Sequence, residues 1–128
     1  MKMILNVLLM VTSYGAFGQT QGEMNSEAAS QSIKADSTLN HIYHQVLVMY
    51  ARDTLFIENL KASERLWVQF RNAELKMKFP GMDQKGSVQS MCISLYLTGL
   101  TNDRIKTLRA WLDGTVEGDV CAGSVRTR

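Results

Sequence analysis

Between Ile57 and Glu74 the chain places Ile57, Leu60, Glu64, Trp67, Arg71 and Glu74 at steps of three and four. That spacing is one face of an α-helix. Phe56, Ser63 and Phe70 lie beside the stripe and widen it. The face is apolar up to Trp67, then carries Arg71 where a core stripe would continue with an aliphatic residue. A tryptophan buries a large area, whereas a guanidinium on the same face needs a partner or a route to water. The remaining segments read as helices that cover Trp67 and supply that partner.

The same period organises the flanks. A first helix is predicted from Asn25 or Ser26, with Ser26 as N-cap and Glu27 near the positive end of the helix dipole, to about Tyr50. Its face is Ala29, Ile33, Asp36, Leu39, Tyr43, Val46 and Tyr50, broadened late by Ile42, Leu47 and Met49; the polar stretch from Gln19 to Asn25 is read as frayed. Arg52 and Asp53 make the turn, and Thr54 caps a second helix that Pro80-Gly81 stops after Phe79. Beyond a loop over 79–86, Ser87 caps a third helix with Val88, Met91, Cys92, Leu95 and Tyr96. Gly99 and Thr101 split it from a short fourth helix carrying Ile105, Leu108, Trp111 and Leu112, which ends at Asp113-Gly114. The expected fold is all-α, a small three- to four-helix bundle built on an antiparallel helix hairpin. Its core spans 25–114, and the tail 115–128 has no usable period.

The N-terminus stands apart from this pattern. Met1-Lys2-Met3 is a short positive region, Ile4 to Val11 an apolar run broken by Asn6, and Ala16-Phe17-Gly18 has small residues at the cleavage-recognition positions. These are the parts of a secretory signal peptide over residues 1–18, with Gln19 first in the mature chain. The apolar run is much shorter than the roughly twenty residues a membrane span needs. A soluble periplasmic or secreted product, with no membrane anchor, is expected. Removing the signal leaves 110 of 128 residues, one domain with a modest core. It also leaves 13 basic against 12 acidic residues, a balance that offers no electrostatic case for nucleic acid as partner. Cys92 and Cys121 are the only cysteines. In an exported chain they are expected to form one disulfide that pins the tail, worth roughly 3–4 kcal/mol on the loop-entropy account.

Little catalytic chemistry can be read along the chain. There is no HExxH pair, no glycine-rich phosphate cradle, no nucleophile elbow and no CxxC pair. His41 and His44 are neighbours on the first helix, a weak ligand set on their own. No metal, cofactor or enzymatic activity is expected. What rises above background is a polar network: Asp36, Asn40 and Tyr43 on the first helix, Glu64, Trp67 and Arg71 on the second, and Arg104 near the last. Asp36 lies 16 residues before Arg52 and Arg71 lies 18 after Asp53, nearly level in an antiparallel pair. An Asp36–Arg71 bridge follows, with Asn40 satisfying remaining donors.

Four blocks then carry a resemblance: Asp36-x-x-Leu39-Asn40-x-x-Tyr43; Glu64-Arg65-x-Trp67-x-x-x-Arg71-x-Ala73-Glu74; Gly86-Ser87 with Met91-Cys92; and Thr101-x-x-Arg104-x-x-x-Leu108. In this order, over about 23–112, they resemble the LprI-like family of small exported bacterial helical proteins, of which one lipoprotein branch inhibits lysozyme. Glu64 stands where that pattern usually has glutamine, and Leu75 where it has a cysteine. The early-helix cysteine and the lipobox cysteine are missing too. The resemblance implies a non-enzymatic binding protein that blocks a lysozyme by occluding its cleft; the alternative is an envelope structural or interaction module with another partner. For lysozyme, the expected contact is the acidic stretch holding Asp113, Glu117 and Asp119, suited to a basic enzyme; the plainer reading is a solvated acidic tail.

Overall fold

The computed structural model describes residues 20–82 and 87–128. The expected signal peptide, residues 1–18, lies outside them, as does part of the 79–86 loop. Three helices account for most of the rest: α1 (Gln21–Met49), α2 (Thr54–Lys78) and α3 (Ser87–Asp113).

Each helix start follows from local hydrogen-bond chemistry. α1 begins earlier than the sequence reading places it, because Thr20 and Glu23 form a capping box. The Thr20 hydroxyl accepts from the Glu23 N–H at 3.1 Å, and the Glu23 carboxylate accepts from the Thr20 N–H at 3.3 Å. Ser26 is therefore interior to the helix, not its cap. Asp53, not Thr54, caps α2, its Oδ1 accepting from the Phe56 N–H at 2.9 Å.

α3 is one unbroken helix rather than two. Gly99 keeps a negative φ, and Thr101 does not cap: its hydroxyl donates back to the Leu97 carbonyl at 2.8 Å. A glycine inside a helix costs about 1 kcal/mol. The continuous seam of Thr101, Ile105 and Leu108, all buried, outweighs that cost.

The tightest pairing is between α1 and α3, which are not consecutive, whereas α2 lies further off. They run parallel: Gln21 meets Met91 at one end and Tyr50 meets Trp111 at the other. The reason lies in side-chain size. The buried positions of α1 are Ala28, Ala35, Leu39, Ile42 and Val46, a seam that starts small and lets the backbones approach. This face is turned by about one residue from the predicted one at its start, and Ile33 is left 71% exposed. α2 returns antiparallel and closes the core with Leu60, backed by Phe56, Ile57 and Trp67. The bundle is thus built on the α1–α3 pair more than on a hairpin.

The cysteines are not paired. Because α3 is continuous, Cys92 lies 21 residues before Asp113, about 31 Å along the axis at 1.5 Å per residue. The tail stays at the Asp113 end, held by other means. The Tyr50 hydroxyl donates to the Trp111 carbonyl at 2.9 Å and accepts from the Arg126 N–H at 3.1 Å. Trp111 Nε1 donates to Ser124 Oγ at 3.1 Å, and a parallel bridge joins Thr115 to Thr127. Gly114 turns the chain into this arrangement at φ 72°, where a Cβ would lie 2.8 Å from the Arg126 carbonyl. Never-reduced protein should therefore take up an alkylating reagent at both thiols, the exposed Cys121 faster than the half-buried Cys92. An intact mass reporting no label would restore the disulfide and require a different tail path.

Candidate functional site

The site grows out of Trp67. Its place on the inner face of α2 puts Arg71 one helical turn on, with the guanidinium carbon 5.0 Å from the ring centroid. Arg104 arrives from α3, 5.9 Å from the same ring. Two cations over one indole repel each other, and each is answered by its own carboxylate. Arg104 binds Glu64 through Nε at 3.0 Å and Nη2 at 2.9 Å, and also donates to Ser63 Oγ at 3.1 Å. Arg71 Nη1 donates to Asp36 Oδ1 of α1 at 3.2 Å. Asp36, Glu64, Trp67, Arg71 and Arg104 thus form one chain of contacts across all three helices.

The two ion pairs are unequal. Arg104 and Glu64 are 12% and 16% exposed, whereas Asp36 is 54% exposed against 18% for Arg71. Water screens the second pair. Arg71 Nε is buried without an acceptor. Asn40, expected to answer such a donor, makes no bond to Arg71 and is exposed on the surface of α1. Tyr43 is half-buried; burial raises its phenol pKa, Glu64 raises it further, and Arg65 opposes both. The phenol stays a neutral donor at physiological pH.

Because α2 stands off from α1, an open groove of about 770 Å³ runs between them. Asp36, Asn40, Tyr43 and Leu47 line it from α1; Lys61, Arg65, Val68 and Arg71 line it from α2. A second, more apolar concavity of about 340 Å³ lies on the other side of α2, against Leu108, Trp111 and Ser124. Lys61 has no place in the sequence motifs and Arg65 enters only as a motif position beside Glu64, although two cations four apart on one helix face are a readable signal. A third cluster, Tyr96 donating to Glu74 at 3.0 Å beneath Lys78, also escaped it.

The acidic stretch lies at the opposite end from Cys92. Asp113, Glu117 and Asp119 are all exposed, yet they are not equivalent. Asp119 accepts from the Thr115 hydroxyl at 2.7 Å and from the Cys121 N–H at 2.9 Å. Those bonds, the hydroxyl's first, hold its carboxyl below the usual range. Arg128 folds back beside the same residues, so the patch is less acidic than its sequence. Among the described residues no cluster of three or more His, Cys, Asp or Glu is arranged to hold a metal ion. No described helix is long and apolar enough to cross a membrane.

These features define a small helical-bundle protein with a tryptophan-centred charge seam beside an open interhelical groove. A family model described as lysozyme inhibitor LprI matches residues 15–108. The chain belongs to that family. No curated protein and no solved structure matches it.

Removing Arg104 strands a largely buried Glu64, so Arg104→Ala should lower unfolding stability by about 2–4 kcal/mol. Arg71→Ala leaves an acid that water already reaches, and its cost should be nearer 1 kcal/mol, mostly from lost packing on Trp67. Chemical denaturation of the two variants checks the order; equal midpoints would contradict it. Asp119 behaves differently with pH. Its folded pKa is depressed, so its contribution is present above the unfolded value of about 3.9 and is lost as pH falls through the lower folded value. The Cys121 amide resonance should hold its position on acidification to about pH 4 and move below it.

Proposed function

We propose that this protein is an exported, non-enzymatic binding protein that inhibits a lysozyme by occluding its cleft. The observation that carries this reading is membership of the family described as lysozyme inhibitor LprI. Export rests on the charged, apolar and small-residue order of the first 18 residues. The contact surface is the loop after α3, where Asp113 and Glu117 offer charge to a basic enzyme. Asp119 contributes by shape: its bonds to Thr115 and Cys121 order the loop before binding, so less entropy is lost on association. Tyr50 and Gly114 fix the loop's root in the same sense.

The test is peptidoglycan turnover by a basic lysozyme with the purified mature protein added. Inhibition is expected, and the double change Asp113→Asn with Glu117→Gln should weaken it at least about tenfold at low salt, with the difference shrinking as salt rises. Unimpeded turnover at stoichiometric excess would remove the lysozyme reading and leave an envelope interaction module. Equal potency of variant and parent would keep the reading but move the contact surface away from this loop.

A further inference from the structure

The groove between α1 and α2 contains charge that the fold does not use. Five ionised side chains line it: Asp36, Glu64, Lys61, Arg65 and Arg71. Both carboxylates are already committed, Asp36 to Arg71 and Glu64 to Arg104. Lys61 and Arg65 are exposed, and among the described residues no carboxylate comes within ion-pair distance of either. Glu58, one turn before Lys61, is the acid their helix would offer, and it makes no such pair.

Two cations four residues apart on one helix face repel by a few tenths of a kcal/mol, an arrangement a solitary helix gains nothing from. Across the groove stand two neutral groups capable of directional bonds. The Asn40 amide and the Tyr43 hydroxyl have no side-chain hydrogen bond among the described residues. Leu47 and Val68 add apolar surface between these polar walls. At about 770 Å³ the groove is within the range that takes a peptide side chain and its flanks.

We propose that the α1–α2 groove is a recognition site for a carboxylate-bearing segment of a partner protein. Lys61 and Arg65 meet the negative charge, Asn40 and Tyr43 orient it, and Leu47 with Val68 seat an apolar neighbour. Arg65 can engage a carboxylate through a planar fork, and Lys61 acts as a point charge beside it. An acidic peptide is favoured over an acidic sugar because the Trp67 ring, the natural stacking surface for a sugar here, is already occupied by Arg71 and Arg104. The site lies on a different part of the molecule from the loop after α3, and it does not rest on lysozyme being the target.

The experiment titrates the full mature protein with a short acetylated peptide alternating glutamate and leucine, followed by isothermal titration and by amide shifts. Parallel titrations use the glutamine counterpart of that peptide and muramyl dipeptide, a carboxylated sugar-peptide. The acidic peptide should bind with shifts at Asn40, Tyr43 and Val68, and the glutamine peptide should bind at least about tenfold more weakly. Lys61→Gln with Arg65→Gln should cost a similar factor without changing helicity. Lys34→Gln with Lys106→Gln, the same charge loss on exposed surface outside the groove, should leave affinity unchanged. Equal binding of both peptides, equal losses in the two double variants, or binding of muramyl dipeptide alone would each overturn the assignment.

Discussion

The bundle depends on how one indole tolerates two guanidinium groups. Trp67 supplies the apolar mass that α2 contributes near the middle of the molecule, and Arg71 and Arg104 lie over its ring. Like charges so close are held only because Glu64 and Asp36 neutralise them from different helices. The Glu64 pair is largely enclosed and fixes α2 against α3; the Asp36 pair is wet and tethers α2 to α1 more loosely. That inequality accounts for the posture of α2, close against α3 at Arg104 and open toward α1, where the groove appears.

A second constraint is the size of the side chains along α1. Alanine at positions 28 and 35 permits a closer helix–helix approach than the Leu39–Val46 segment alone would. α3 meets that seam with Thr101, whose hydroxyl is satisfied within its own helix and so adds no unpaired polar group to the interface. The tyrosine at the end of α1 then serves the tail, its single hydroxyl giving to one backbone group and taking from another. Tail attachment in this chain is therefore a matter of hydrogen bonds and ring contact, with Arg126 lying 4.5 Å over Tyr50.

Much of this was legible in the chain. Helical period and the Pro80-Gly81 stop placed α2 within a residue, and the motif blocks pointed to the family that the match over 15–108 shows. The misses have physical causes. The Thr20-to-Glu23 capping box was in plain view, yet its polar surroundings read as a frayed end. Gly99 and Thr101 carry end-of-helix signals that tertiary burial of Thr101 and Ile105 overrides. The cysteine pairing, expected because an exported chain has only Cys92 and Cys121, does not form because the continuous α3 holds Cys92 far from the Asp113 end where the tail lies. The groove could not be read from residue types, because its opening comes from the standoff of α2, a property of packing.

The pairing of α1 with α3 also sets the order in which the molecule can assemble. Its terminal contacts join residues 70 and 61 positions apart, so the core closes over long stretches of chain, unlike helical bundles dominated by neighbouring contacts. A chain lengthening from its N-terminus would hold α1 and α2 for some time with the Leu39–Val46 face only partly covered. The first two helices are thus a dependent fragment, and folding waits on the arrival of the last.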